Sequence, residues 1–374
     1  MRLLFTTAPL SGHLFPLVPL AWAARAAGHE VLVATTENFV PAVLGAGLPA
    51  VSWGPAMDFV DVVAEEPPVP ADDVTVRRRA NGMAFGRMAR RTLPGARRVV
   101  EAWHPDLVVS ERAEFAGPVA AARNDVPFVE FHWGIPELTE YRTGATEALA
   151  DVPGFDGLPV PIETLDPWPV SMRLPHAVDH QGVHSVSYNG EARVPDWLLQ
   201  PPQRPRVCVT FGTLLPRIAA LGVREVVAPV LDSLAGLGLE VYLAVDDQVL
   251  DQWPELARSS TVAGRMPLGQ VLPTCDLMIN HGGQGTILTA LDAGCPQLVL
   301  PHMDDQFENA EAVVKAGAGM CLAFDEFTPR LVAERCATLL SDPGFGTQAA
   351  RAASELAAQL SPVEIVDLLA KLAD

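Results

Sequence analysis

Short apolar runs alternate with helical patterns along nearly the whole chain, and that alternation predicts its architecture. In the first half, 2–8, 30–36, 106–110 and 127–131 have the length and apolar content of buried strands. Between them, 14–27, 38–46 and 113–123 carry apolar residues at helical spacing, and Gly47 ends the second of these. Strands that alternate with helices imply right-handed crossovers and a parallel sheet. The second half repeats the pattern, with strands near 206–211, 239–245, 261–265, 276–281, 296–301 and 320–324. Helical patterns then fill 328–341, 347–359 and 362–372. Between the halves, Pro195, Pro201, Pro202 and Pro205 fall within eleven residues, which no helix tolerates and an extended link favours. The expected organisation is α/β, with one Rossmann-like domain over 1–190, a proline-rich linker over 191–205 and a second such domain over 206–374. A chain of 374 residues is long enough to bury two cores of that size.

Candidate chemistry gathers at the ends of predicted strands. The run ending in Ile279 is followed by Asn280-His281-Gly282-Gly283-Gln284-Gly285-Thr286 and then a helical pattern, which reads as strand, glycine turn, helix. Glycines there permit a positive φ or a close approach of backbone to ligand, and a helix start offers unpaired N–H groups to an anion. A tight turn with no ligand is the alternative. About twenty residues on, Pro301-His302-Met303-Asp304-Asp305-Gln306 brings polar side chains to another helix mouth. Two such turns on successive strands suit a nucleotide and its attached group in an open α/β sheet. Asp305 accepts hydrogen bonds from a hydroxyl when ionised, but it suits a helix N-cap equally. Near the amino end, His13 follows the first strand. An imidazole there suits a general base, because its ordinary pKa of about 6.5 leaves it neutral yet basic near pH 7. Its alternative role is a polar helix cap. Glu111, at the end of a middle strand, is a candidate to orient that base or a surface carboxylate.

These stretches carry a family resemblance. His281-Gly282-Gly283-Gln284-Gly285-Thr286, Ala293-Gly294-Cys295-Pro296-Gln297 and Asp305-Gln306 ahead of Asn309-Ala310 resemble the donor signature of the UDP-glycosyltransferase superfamily, in its actinomycete branch that glycosylates antibiotics. Gly12-His13-Leu14-Phe15-Pro16-Leu17 is similar to that family's acceptor-side motif, and Val209-Thr210-Phe211-Gly212-Thr213 to the strand opening its second domain. The resemblance implies a GT-B fold: two facing Rossmann-like domains, acceptor-binding then donor-binding, with a cleft between them and a last helix that returns to the first domain. It also implies roles. His13 would be the base and Glu111 its partner, a position where relatives more often hold aspartate. Gly212, Thr213, His281, Gly283, Gln284, Gly285 and Thr286 would hold the diphosphate, and Asp305 and Gln306 the sugar. Arg265 and Met266 would flank the nucleobase. No aromatic stands there, which by analogy favours thymidine over uridine. The implied activity is inverting and metal-independent transfer of a deoxysugar from a dTDP-sugar co-substrate to a hydroxyl of a hydrophobic aglycone, a polyketide in the first instance. A UDP-glucose-dependent drug-inactivating transferase, a UDP-sugar epimerase and a non-catalytic sugar-nucleotide-binding auxiliary protein remain open. Residues 55–100 and 135–185 match nothing in the family pattern.

Composition narrows the partners. A net charge of −19 gives no global field to attract nucleic acid, so an anionic donor must be met locally by backbone N–H groups and a few side chains. The arginines from Arg77 to Arg98 are expected to form a solvated helix face balancing Glu65, Glu66, Asp72 and Asp73. No apolar run nears the roughly 20 residues that span a bilayer, so no integral membrane segment is expected. The amino end reads as a first strand rather than a signal peptide, and five scattered cysteines suit free thiols in a reducing cytoplasm. A homodimer is kept open as a further partner. His176, His180 and His184 are spaced like metal ligands on a helix, but Gly182 and the alternation after it argue against a helix there, so no metal is expected.

Overall fold

The computed structural model describes all residues except 66–72, 191–192, 213–222, 255, 324–325, 327 and 374. Seven parallel strands form the first sheet: β1 (Arg2–Thr6), β2 (Glu30–Thr36), β3 (Ala50–Gly54), β4 (Leu107–Glu111), β5 (Phe128–Phe131), β6 (Glu163–Asp166) and β7 (Gln181–Gly182), in the order 3-2-1-4-5-6-7. Six form the second: β8 (Arg206–Thr210), β9 (Glu240–Ala244), β10 (Val262–Gly264), β11 (Leu277–Asn280), β12 (Gln297–Val299) and β13 (Gly319–Cys321), in the order 10-9-8-11-12-13. The central strands bury both faces, as with Leu3, Leu4 and Phe5 of β1 or Leu277, Met278 and Ile279 of β11, so they read as continuous apolar runs. In each sheet the strand order reverses once, between β1 and β4 and between β8 and β11. The reversal opens a crevice at the carboxyl ends of those strands, where open α/β sheets bind ligands.

The predicted helix over 14–27 is broken. Ser11–Leu14 is followed by a 3₁₀ turn, Phe15–Leu17, and then Val18–Ala26, because Pro16 and Pro19 each withhold a backbone donor. The arginines from Arg77 to Arg98 do lie on a helix, but one of 30 residues, Val74–Trp103, and the helix Thr139–Leu149 packed along it was not anticipated. Their axes approach closely because Gly82 and Gly86 meet the backbone around Tyr141 and Ala145, where any Cβ would collide. Three arginines on the long helix pair at the surface, Arg79 with Glu147, Arg90 with Asp151 and Arg91 with Glu65. Arg78 departs from the expected solvated face and is buried.

The two domains share packing. Ile135, Trp168 and Met172 of the first enter one apolar cluster with Ile287, Leu288, Val299 and Val313 of the second. The last helix, Pro362–Ala373, buries Ile365, Val366 and Leu369 in the core built on Leu3, Phe5 and Val109 of the first sheet. In the linker, Trp197 stacks on Tyr242 at 4.3 Å, with the Arg206 guanidinium 5.3 Å from both rings. Cys208, Cys295 and Cys336 are buried, Cys321 is exposed, and all five cysteines are free. Among the described residues no helix is long and apolar enough to cross a membrane.

Candidate active site

His13 and Glu111 meet at the crevice of the first sheet. β1 ends at Thr6 beside Ser110 of β4, so the short helix Ser11–Leu14 carries His13 over the end of β4, where Glu111 is the last residue. His13 Nδ1 stands 3.0 Å from Glu111 Oε1, close enough to pair though bent away from a straight hydrogen bond. Glu111 is almost fully buried, and four groups hold its carboxylate in place. The Ala8 amide donates to Oε1 at 3.1 Å, and the Ala113 amide and the Trp133 indole each donate to Oε2 at 2.8 Å. Burial works to raise this carboxyl, but His13 and these donors outweigh it and keep it below the ordinary range. The imidazole lies between Trp133, at 4.7 Å, and Phe85, at 5.5 Å between centroids. Phe59 and Tyr141 stack on Phe85 in turn, so the ground around His13 is aromatic. Glu114, next along the loop, is buried and pushed up to about 7, mainly by desolvation.

The glycine turn lies at the crevice of the second sheet. Asn280, at the end of β11, accepts from the Gly282 amide at 2.8 Å and so shapes the turn. The left-handed conformation falls on Gly282 (φ +91°) and on Gly212 (φ +68°), whereas Gly283 is extended at φ −64°, ψ 135°. Gly283 is the N-cap of the helix Gln284–Asp292 and brings no side chain of its own to its first amides. His281 is buried, its Nδ1 has no partner, and Gly212 and Gly283 close on its ring so that a Cβ at either would overlap it. Burial, with neighbouring His302, pushes its pKa down to about 3, so the ring is neutral and can donate one N–H to an anion. Thr286, half-buried, has its amide bonded to Gly283 O at 3.1 Å, and Gly285 is exposed. Thr213 lies outside the described residues.

Gln284 is placed differently from its neighbours. Its Oε1 accepts from the Gly134 amide at 2.6 Å and from the Trp168 indole at 2.7 Å, so the side chain ties the two domains together, and its Nε2 is buried without a partner. The Asp305–Gln306 pair is also tied into the fold. Gln306 Oε1 accepts from the amides of His302 and Met303, and Asp305 Oδ2 accepts from Asn309 Nδ2 at 2.7 Å. Packing that leaves Asp305 only partly accessible, with Asp304 and Glu308 beside it, pushes its carboxyl up to about 7. It therefore carries a proton part of the time near neutrality and can donate as well as accept. Arg265 pairs with Asp246 at 3.2 Å and is half exposed, while Met266 is buried with Tyr242 and Leu268.

Several contacts at the cleft gave no sequence signal, because the first-domain residues that make them, Arg78, Asn81, Ile135 and Tyr141, lie in segments that match no family pattern. Asp304, in a left-handed conformation (φ +49°), receives Arg78, Asn81 and Tyr141 from the first domain, and Arg78 also reaches Glu308 at 2.6 Å. Asn309 Oδ1 accepts from the Ile135 amide at 2.9 Å. The histidine triad at 176, 180 and 184 does not form one group. His184 pairs with Asp292, whereas the rings of His176 and His180 lie near that of His132. His132, Asp166 and His180 present ligand-type atoms within 4.8 Å of one another. Arg173 pairs with Asp166 at 3.7 Å and Glu130 stands 3.7 Å from His132, so carboxylates and the guanidinium groups of Arg173 and Arg112 both surround the cluster. The cluster braces the segment that leads into Trp133.

Two parallel-sheet Rossmann-like domains with their crevices apposed define a glycosyltransferase of the GT-B architecture. Family models for erythromycin biosynthesis protein CIII-like proteins match residues 22–212 (N-terminal domain) and 228–372 (C-terminal domain), and the chain belongs to that family of antibiotic glycosyltransferases. It is 40% identical to the L-demethylnoviosyl transferase of Streptomyces niveus, over 99% of this chain and 98% of that one. It is 32% identical to the 3-alpha-mycarosylerythronolide B desosaminyl transferase of Saccharopolyspora erythraea, over 100% and 98%. Among solved structures it resembles the glycosyltransferase SsfS6 of Streptomyces sp. SF2575, complexed with thymidine diphosphate, with a TM-score of 0.86, 33% identity and 99% of each chain covered.

Proposed function

We propose that this enzyme transfers a deoxysugar from a dTDP-sugar to a hydroxyl of a hydrophobic natural-product aglycone, a polyketide in the first instance, with inversion and without a metal. The observation that carries this reading is the pair of a partly accessible His13 and a buried Glu111, linked to the glycine turn through Trp133, Gly134 and Gln284. His13 accepts the hydroxyl proton as the acceptor oxygen bonds to the anomeric carbon, and Glu111 steadies the imidazolium that forms. The bond from that carbon to the diphosphate breaks in the same step, and the leaving electron pair passes to the diphosphate oxygen. The start of the helix Gln284–Asp292 and the neutral His281 meet the charge that grows there. A single in-line displacement turns an α-linked donor into a β-glycoside, named for a D-sugar. The aromatic ground around His13 supports a hydrophobic acceptor. The thymidine diphosphate bound to SsfS6 and the desosaminyl relative's macrolide-type acceptor name support dTDP and a polyketide. Incubation with a panel of dTDP- and UDP-sugars, read by thermal shift and then by product formation, tests the reading. Stabilisation by UDP-glucose alone would move it to the drug-inactivating class.

Two expected results separate the parts of this mechanism. Turnover should persist in excess EDTA, because the donor phosphates are met by N–H groups rather than by a bridging cation. Activity abolished by chelation and restored by Mg²⁺ or Mn²⁺ would overturn that assignment. His281→Ala should weaken thymidine diphosphate by about ten- to a hundredfold, the worth of one hydrogen bond to an anion, roughly 1.5–3 kcal/mol. Calorimetric titration measures it, and an unaltered affinity would remove His281 from the phosphate site.

A further inference from the structure

Trp133 touches both members of the pair that performs the proposed proton transfer. Its indole Nε1 donates to Glu111 Oε2 at 2.8 Å, and its ring lies against the His13 imidazole at 4.7 Å. The next two residues are fixed from the other domain, since the Gly134 amide donates to Gln284 and the Ile135 amide to Asn309. Gly134 (φ +72°) also comes so near Asp305 that a Cβ on it would lie 3.0 Å from Asp305 Oδ2. One short segment thus spans the distance between the carboxylate behind the base and the residues of the donor loop.

We propose that Trp133 is the positioning residue for the base: its indole N–H fixes the Glu111 carboxylate, its ring fixes the plane of His13, and the anchored Gly134–Ile135 backbone holds both in register with the donor turn. This rests on the reading of His13 as the base. A carboxylate free to rotate about its last bond offers the imidazole either oxygen at a range of angles. With Oε2 held by the Trp133 indole and the Ala113 amide, Oε1 is the atom left toward His13. The indole ring also limits the imidazole to a narrow set of orientations, which a base acting on one acceptor oxygen requires. Trp133 acts through Glu111 and His13 and itself takes no proton.

Trp133→Phe keeps a ring against His13 and deletes the N–H donor, and Trp133→Leu serves as a second variant without that donor. Each should lower kcat by about tenfold, the scale of one charge-assisted hydrogen bond. The acid limb of the kcat profile should move to higher pH, because a carboxylate relieved of a donor holds the imidazolium proton more tightly. The other ionisable and charged groups around the segment are Glu114, Glu130, Tyr141, Asp305 and Arg112, whose guanidinium lies 5.5 Å from the Trp133 ring; Trp133→Phe removes none of them and keeps a ring under Arg112. Thymidine diphosphate affinity should stay within about twofold. In a Glu111→Gln background the same substitution should cost little, since the group it orients is gone. Wild-type kcat and pH profile in both Trp133 variants would overturn the proposal, as would an equal loss in the Glu111→Gln background, which marks a purely structural effect. His13→Ala is measured alongside. Should it keep full activity, the base reading itself fails, whereas an inactive His13→Ala beside a normal Trp133→Phe defeats only the positioning role.

Discussion

His13→Ala is expected to lower kcat by about 10²–10⁴-fold while leaving thymidine diphosphate affinity nearly unchanged. The size follows from the task, since without a base the acceptor hydroxyl must attack with its proton still in place or pass it to water. The sparing of donor affinity follows from the fold. His13 belongs to the crevice between β1 and β4, whereas the groups proposed to meet the phosphates belong to the crevice between β8 and β11. The melting temperature should fall as well, because the change leaves the buried Glu111 carboxylate without its imidazole partner and opens space against Phe85 and Trp133 of the first-domain core. Turnover and nucleotide binding are measured on the same preparation. A variant that turns over at the wild-type rate would make His13 a structural residue and remove the mechanism with it.

Gly283→Val is expected to weaken thymidine diphosphate by more than about a hundredfold, near 2.8 kcal/mol, with a small change in the melting temperature of the free protein. The reason lies in contact rather than in backbone strain. Gly283 is extended, a conformation open to valine, but its new side chain would overlap the His281 imidazole and cover the amides at the helix start. Gly282→Ala provides the contrast. Gly282 sits at φ +91° with its Cβ direction 2.9 Å from Gln306 O, so alanine there strains the turn and should cost both affinity and stability. Titration of thymidine diphosphate into both variants, beside their melting curves, distinguishes the cases. If Gly283→Val binds like wild type, the turn is not the phosphate site; if it unfolds the second domain, the turn is structural.

The second sheet was legible along its whole length, because each of its strands is a short apolar run followed by a helix, and buried parallel strands leave that trace at any position. The first sheet was legible only where its strands share that character. β3 (Ala-Val-Ser-Trp-Gly) and β6 (Glu-Thr-Leu-Asp) are short and mixed in polarity, and their membership comes from pairing with β2 and β5. The helix Val74–Trp103 was legible as an arginine-bearing face but not in its length, because Pro94 falls within it and glycines supply the side that packs against Thr139–Leu149.

By itself the sequence determined the α/β class, two domains, the glycine turn after β11, and His13 and Glu111 as residues at strand ends, since each depends on local order along the chain. Tertiary structure alone decided what those residues touch. It set which glycines take positive φ, and it made the Gln284 side chain a strut between domains. It raised Asp305 toward neutrality by packing and acidic neighbours, brought Trp133 and Arg78 to the cleft, and set Asn309 of the donor signature against the Ile135 amide. A sequence pattern records which side of an element is buried. Which partner lies on that side, and at what distance, depends on contacts between residues a hundred or more positions apart, and no local pattern encodes them.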